Sequence, residues 1–135
     1  MIPKTLVCPV AFNDRIKLRN VIERFLISRI HDKVDYLIVD DGSDDGTTEM
    51  IAEYKDKGVG TIKHAKRSGV GATIRTAIQY ARRMNYTIVV IMAGNDKDNP
   101  EEIPFLLEPI VQNGFDLIQG SRYLGKVGSG GQMPL

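Results

Sequence analysis

Residues 39–47 limit the possible folds of this chain more than any other stretch, because they place four aspartates and two glycines directly after a short apolar run. The apolar run at 36–39 is typical of a β-strand, and a helix-like pattern follows at 48–57. Crowded carboxylates repel one another, so such a run calls for a hydrogen-bonding partner or a cation. Ligands bind at the carboxyl ends of the strands in open α/β sheets, and the run therefore predicts a ligand site.

Strand-like and helix-like patterns alternate along most of the chain. Short apolar runs predict strands at 5–10, 34–39, 59–64, 86–92 and 115–119. Apolar residues spaced three and four apart predict helices at 14–30, 46–57 and 68–84, and a further helix opens at Asn99 and Pro100 and runs to 112. This alternation predicts an α/β fold with a mostly parallel sheet and helices on both faces.

Composition excludes several classes of protein. The net charge is +1, from 18 basic and 17 acidic side chains, so charge gives no argument for nucleic acid or an anionic membrane as partner. The single cysteine, Cys8, excludes an intrachain disulfide and is expected in the core. The longest apolar stretch, 87–93, is far shorter than the ~20 residues of a membrane helix, and the start lacks a signal-peptide pattern. We therefore expect a cytoplasmic protein.

Polar clusters follow three of the predicted strands, at 11–14, 40–45 and 93–99, and should meet at one edge of the sheet. In the second cluster, Asp40 and Asp41 can accept hydrogen bonds from a nucleobase or from ribose hydroxyls. An Asx-type turn, with Asp45 or Gly46 capping the next helix, is the alternative for the rest of that cluster.

The third cluster offers the oxygen ligands that Mg²⁺ or Mn²⁺ prefers, from Asn95, Asp96 and Asp98. A polar loop in which Asn99 caps the following helix is the alternative interpretation. No serine-triad or zinc-ligand spacing is present, and His31 and His64 are interpreted as incidental.

Two basic side chains also follow strands. Arg67 precedes Gly69 and Gly71, where it and the exposed amides could hold an anion at a helix N-terminus. The same glycines could instead only allow the helix to pack closely on the sheet. Arg122 follows the last strand, where its guanidinium could hold a diphosphate or simply be an exposed structural residue.

These motifs, in this order, resemble those of family 2 glycosyltransferases of the GT-A fold, and in particular the dolichol-phosphate mannose synthase-like branch. Residues 11–14 are similar to the family's Ala-Tyr-Asn-Glu, and 39–47 are close to its Val-Asp-Asp-Gly-Ser-x-Asp-Gly-Thr. Residues 67–72, 99–104 and 120–123 resemble its glycine loop, the helix after its metal loop and its Gly-Ser-Arg-Tyr element. The resemblance covers nearly the whole chain.

The resemblance implies a nucleotide-diphosphate sugar as donor and Mg²⁺ or Mn²⁺ as cofactor. It places Asp40 and Asp41 near the base and ribose, and Arg122 near the diphosphate. The nucleotide-sugar site that we predict comprises Ala11, Phe12, Asp14, Asp40, Asp41, Arg67, Gly94, Asn95 and Arg122.

The sequence departs from the family at the metal loop. The positions of the family's two aspartates hold Ala93 and Asn95, and the literal Asp-x-Asp, Asp96 to Asp98, lies three residues later. Either Asn95, Asp96 and Asp98 hold the metal, or metal binding is weakened or lost. The family's general base and acceptor-binding segment lie further along than residue 135, so no catalytic base is assigned.

We expect a glycosyltransferase of hexosyltransferase type, inverting, whose nucleotide-sugar-binding GT-A domain is 1–124. A glycine-rich flexible tail at 125–135 would lead to the acceptor segment. The family branch suggests a polyprenyl phosphate as acceptor, and so a position at the cytoplasmic face of a membrane. One alternative is a non-catalytic nucleotide-sugar-binding or regulatory module, which the altered metal loop favours. A phospho-acceptor signalling domain is a weaker alternative, because its acidic pair usually follows the first strand.

Overall fold

The computed structural model describes residues 4–93 and 116–120 of the chain. The strands are β1 Thr5–Ala11, β2 Asp35–Asp40, β3 Val59–Lys63, β4 Ile88–Ala93 and β5 Asp116–Gly120. The helices are α1 Arg15–Leu26, α2 Thr47–Ala52 and α3 Val70–Arg83, with a 3₁₀ helix at Lys55–Lys57.

The five described strands form one sheet in the order β3-β2-β1-β4-β5, and every neighbouring pair is parallel. From β1 the chain first adds strands on one side and then crosses over to add β4 and β5 on the other. The carboxyl ends of β1 and β4 therefore form the point at which the strand order reverses, where α/β sheets bind their ligands. Val10 pairs with Ala93 and Ala11 pairs with Asp40 at this edge.

Helices cover both faces of the sheet, as predicted. On one face, Val7 and Ile38 of the sheet share a buried apolar cluster with Ile22 and Phe25 of α1 and Met50 of α2. On the other face, Cys8 and Val39 share a second cluster with two small residues of α3, Ala77 and Ala81. Neighbouring strand residues point to opposite faces, so each apolar strand contributes to both clusters. Cys8 is a fully buried core residue, which confirms its predicted position.

The strands and α3 agree with their predicted bounds within two residues, but α1 and α2 are clearly shorter than predicted. Helix α1 ends at Leu26 rather than at 30, because Ser28 turns back and bonds Phe25 O through both its amide and its hydroxyl. Helix α2 ends at Ala52. The next two amides, of Glu53 and Tyr54, donate to carbonyl oxygens three residues earlier, which is the 3₁₀ pattern rather than the α-helical one. The predicted helix at 99–112 and the tail at 125–135 lie outside the described residues. In the described ranges, no helix combines the length and apolar character needed to cross a bilayer.

Candidate functional site

An open cleft of about 100 Å³ lies at the carboxyl edge of the sheet, between the end of β1 and the start of α3. It is lined by residues from the end of β1, from just after β2 and from the segment that leads into α3: Val10, Ala11, Phe12, Asp41, Arg67, Gly69, Val70 and Thr73. Four of the predicted site residues, Ala11, Phe12, Asp41 and Arg67, are thus brought together. Two others, Asp14 and Asp40, are not among the residues that line this cleft.

Phe12 and Arg67 form one wall of the cleft. The Arg67 guanidinium carbon lies 4.2 Å from the centroid of the Phe12 ring, within the range of a cation–π contact. Arg67 is exposed and Phe12 is half-buried, so both side chains are at least partly accessible to solvent. A planar, anionic ligand would find complementary groups on this wall.

Asp41 lines the cleft and is almost completely buried, with 4% of its surface exposed. One carboxylate oxygen accepts bonds from the Ser68 amide and the His64 Nδ1, both at 2.8 Å, and the other accepts from the Gly69 amide at 2.9 Å. Burial on its own raises the pKa of Asp41, but the bonds from His64, Ser68 and Gly69 outweigh it and leave the pKa below its ordinary value. The carboxylate is therefore ionised at neutral pH.

Asp40 is fully buried and has a different set of partners. Its two oxygens accept bonds from the Ser43 amide, at 3.0 Å, and from the Thr48 hydroxyl. Asp40 thus stabilises the loop that leads into α2. The Asx-type turn is confirmed a few residues later, where Asp45 accepts from the Thr47 amide at 3.0 Å and Gly46 occupies the N-cap.

Asn13 joins the first and second polar clusters. Its amide donates to the Ser43 hydroxyl at 2.9 Å, and its side chain exchanges two bonds with Asp44, at 2.8 and 2.9 Å. The predicted meeting of these two clusters is therefore confirmed. Asp14 instead begins α1, where its carbonyl accepts from the Leu18 amide at 2.8 Å.

The close approach of two loops occurs at Gly42, not at the glycines beside α3. A Cβ atom on Gly42 would lie 2.7 Å from backbone atoms of both Lys66 and Arg67. A Cβ atom on Gly69 or Gly71 would meet nothing within 4 Å, so the interpretation that these glycines allow close packing is wrong. Gly69 is required for another reason, since its φ of +99° is a conformation that other residues rarely adopt.

The amides at the start of α3 are only partly available to an anion. Those of Ser68 and Gly69 donate to Asp41, so the predicted anion site on exposed amides is already occupied in part by a carboxylate of the chain itself. An anion in the cleft would therefore depend more on Arg67 than on these two amides.

The interpretation of His64 as incidental is also wrong. Its Nδ1 lies 2.8 Å from Asp41 and its Nε2 lies 2.8 Å from the Thr76 hydroxyl of α3. The sequence carried only part of the signal for this contact, because it placed Asp41 and His64 near the ends of two predicted strands but did not give the register of those strands. Asp40 pairs with Lys63 in the register, which brings the next residue of each strand side by side.

The other histidine, His31, pairs with Asp32 at 3.2 Å and is not part of the cleft lining.

The remaining predicted site residues, Gly94, Asn95, Asp96, Asp98 and Arg122, lie outside the described residues. The strands that lead to them end at the same edge as β1, because Ala93 pairs with Val10 and Gly120 pairs with Met92. Within 4–93 and 116–120, no group of three or more histidine, cysteine or acidic side chains is arranged to hold a metal ion.

A family model described as "Glycosyl transferase family 2" matches residues 7–134. The chain belongs to glycosyl transferase family 2. It is 32% identical over 127 residues to the polyprenol monophosphomannose synthase of Mycolicibacterium smegmatis, a match that covers 90% of this chain and 46% of that protein. It is 31% identical over 127 residues to the dolichol-phosphate mannosyltransferase of Pyrococcus furiosus, covering 92% of this chain and 35% of that protein. The chain thus spans less than half the length of these two relatives.

Two solved structures of glycosyltransferases share the fold of this family 2 chain. The mannosyltransferase PcManGT from Pyrobaculum calidifontis, in complex with GDP-Man and Mn²⁺, superposes with a TM-score of 0.62 at 20% identity, covering 70% of this chain and 28% of that one. TarS 1-349 from S. aureus, in complex with UDP-GlcNAc, gives a TM-score of 0.68 at 19% identity, covering 81% of this chain and 31% of that one. The predicted GT-A fold and family are confirmed.

Proposed function

We propose that this chain is the donor-binding part of a glycosyltransferase that transfers a sugar from a nucleotide-diphosphate sugar to an acceptor. The observation that carries this proposal is the cleft at the carboxyl end of β1, which combines apolar lining residues, an aromatic ring under an exposed guanidinium and an ionised carboxylate. Concave sites with a few convergent polar groups are where small ligands bind. The matched relatives are named as synthases and transferases, and this favours an enzyme over the non-catalytic module.

Each side chain of the cleft suits one part of such a donor. The Phe12 ring offers an aromatic face to the base, and Arg67 offers positive charge and several N–H donors to the diphosphate. Asp41 keeps one lone pair on the oxygen that accepts only from Gly69, and this lone pair is placed to accept from base N–H or ribose hydroxyl groups. Gly94, Asn95 and Arg122 complete the donor site in this proposal.

A divalent cation, Mg²⁺ or Mn²⁺, is part of the proposed function. The buried aspartates do not form a metal site with other side chains, since in the part of the chain that the structure describes no group of three or more histidine, cysteine or acidic side chains is arranged to hold an ion. The oxygen-rich set Asn95, Asp96 and Asp98 does fit a hard cation by its chemistry. When bound, such a cation offsets the charge of the departing nucleotide diphosphate.

We propose a polyprenyl phosphate as the acceptor and transfer with inversion. The names of two relatives, a polyprenol monophosphomannose synthase and a dolichol-phosphate mannosyltransferase, support this class of acceptor. A lipid-linked acceptor would bring the enzyme to the cytoplasmic face of a membrane. In this arrangement residues 1–124 bind the donor and 125–135 lead towards the acceptor side.

The test is calorimetric titration of the chain with GDP- and UDP-sugars, with and without Mn²⁺, alongside an assay for release of the nucleotide diphosphate. We expect one of the donors to bind, Mn²⁺ to tighten binding, and the unphosphorylated nucleoside to bind much more weakly. If a nucleotide sugar binds with the same affinity with and without Mn²⁺, and no nucleotide diphosphate is released, the result would support the non-catalytic module. Absence of binding by every nucleotide sugar would contradict the proposed function.

A further inference from the structure

His64 connects three separate elements through one side chain. It follows β3 directly, and its backbone amide extends the β2–β3 ladder by donating to Asp40 O at 2.8 Å. Its ring then reaches Asp41, after β2, and Thr76, in the second turn of α3. The His64 side chain is 14% exposed, so the ring is held inside the structure rather than on its surface.

The chemistry of the partners fixes the hydrogen bonds of the ring. A carboxylate only accepts, so the Nδ1 of His64 carries the proton that is donated to Asp41. In the neutral ring, Nε2 then accepts from the Thr76 hydroxyl. Histidine is the residue that can serve both partners here, because its two nitrogens point in different directions from one rigid ring.

Polar contacts help to fix the position of the start of α3. The fully buried residues of α3, Thr73, Ala77 and Ala81, are small, and Ile74, which packs on the second apolar cluster, is only partly buried. The segment before the helix is held by the Ser68 and Gly69 amides on Asp41. Because Gly69, Val70 and Thr73 line the cleft, the position of this helix end sets the width of the cleft.

We propose that His64 is a positioning residue for the donor cleft: it orients Asp41 and fixes the start of α3 in the geometry that the donor needs. This inference rests on the proposed function and assigns His64 no direct contact with the donor. Losing the His64 ring leaves Asp41 with two donors instead of three and frees Thr76, so the cleft wall becomes less ordered. The expected result is weaker donor binding with little change in the bound geometry once the donor is in place.

The first arm of the test measures the positioning directly, without any ligand. Amide hydrogen exchange is measured in the full chain for the wild type, His64→Ala and His64→Asn, with Ile38 in the buried sheet as the internal reference. In His64→Ala, the exchange rates of the Ser68 and Gly69 amides should rise about tenfold more than the rate of the Ile38 amide. Loss of a hydrogen bond to a charged group shifts the local opening equilibrium by roughly that factor. His64→Asn keeps an N–H near the Nδ1 position and should restore most of the protection. Equal changes at all three amides, or no change at Ser68 and Gly69, would overturn the proposal.

The second arm measures the consequence for the donor. GDP and UDP are titrated into the same variants, into Thr76→Val, which removes only the hydroxyl contact, and into His31→Ala as the matched histidine control. His64→Ala should weaken nucleotide binding about tenfold, Thr76→Val about twofold, and His64→Asn and His31→Ala less than twofold. Wild-type affinity in His64→Ala would overturn the proposal. If the wild type binds neither nucleotide, the proposed function fails, whereas the exchange arm still reports on His64 separately.

Discussion

Asp40 and Asp41 are adjacent in the chain, yet they stabilise different parts of the molecule. The Asp40 carboxylate accepts from Ser43, in the loop that leads to α2, and from Thr48, in the first turn of α2, and Asp40 does not line the cleft. Asp41 accepts from the segment between β3 and α3, more than twenty residues away, and it lines the cleft. Successive residues at a strand end point to opposite faces, and this alternation gives two identical side chains two roles.

The difference shows that the acidic motif is partly a structural motif and partly a site motif. One carboxylate shapes the loop that carries it, and the other ties that loop to the opposite wall of the cleft. Substitutions at the two carboxylates, and at the contact where the two loops meet, separate these two roles.

Gly42→Ala should have the largest effect, because it forces the two loops apart. The added Cβ would lie 2.7 Å from the backbone of Lys66 and Arg67, at a φ of +78° that disfavours alanine. We expect a loss of about 3 kcal/mol in the free energy of unfolding, from overpacking and backbone strain together. Urea denaturation measures it.

The matched control is Gly71→Ala, in the first turn of α3, where a Cβ meets nothing within 4 Å. We expect it to be neutral or to stabilise by about 0.5 kcal/mol, since alanine is a better helix former than glycine. Equal losses in the two variants would show that the loops do not meet as described.

Asp41→Ala and Asp40→Ala should both destabilise the fold, by about 3 and about 2 kcal/mol, because each leaves buried donors without an acceptor. Only Asp41→Ala should also weaken nucleotide binding by more than about tenfold under conditions where both variants are folded. Calorimetric titration at low temperature checks this. An equal loss of affinity in Asp40→Ala would mean that the two roles are not separate.

Most of the fold could be predicted from the sequence, but less of the site. The run at 88–91 is apolar at every position, as expected for a strand buried on both faces, and α1 showed its apolar spacing clearly. The early end of α1 depends on Ser28 bonding back to Phe25, which competes with continued helix and is not visible in apolar spacing.

Neither the composition nor the motifs of the sequence could predict the different roles of Asp40, Asp41 and His64. They depend on which face each side chain points to and on the parallel register that places Lys63 beside Asp40. The same holds for Gly42, which the sequence shows as a turn glycine, whereas the structure shows it against a distant backbone. Contacts of this kind belong to tertiary structure rather than to local pattern.

Asp41 should also make the stability of the fold depend on pH. Its pKa is lower in the folded chain than the ordinary value of about 3.9 for an unfolded aspartate. The stabilisation is therefore complete above that value and is lost as the pH falls through the folded pKa. Urea denaturation from pH 7 to pH 3 should show that the difference in stability between wild type and Asp41→Asn narrows below about pH 4. A difference that stays constant with pH would contradict the assignment.

Arg67→Ala should have the smallest effect on the fold and a selective effect on the cleft. Arg67 is exposed, so we expect a change of less than about 0.5 kcal/mol in the free energy of unfolding. Its loss should weaken binding of a nucleotide diphosphate about fivefold, because the guanidinium and its contact with Phe12 are removed. Lys66→Ala, at an exposed neighbour outside the cleft lining, is the control and should change affinity less than twofold.

The donor cleft is tested most directly by mapping a bound nucleotide diphosphate onto the backbone amides by NMR. Titration of ¹⁵N-labelled chain with GDP and with UDP, in the presence of Mg²⁺, should shift the amides of Phe12, Arg67 and Gly69 most strongly. Residues at the amino edge of the sheet, such as Lys4 and Tyr86, should not respond. Shifts confined to that opposite edge, or no shifts with either nucleotide, would contradict the account.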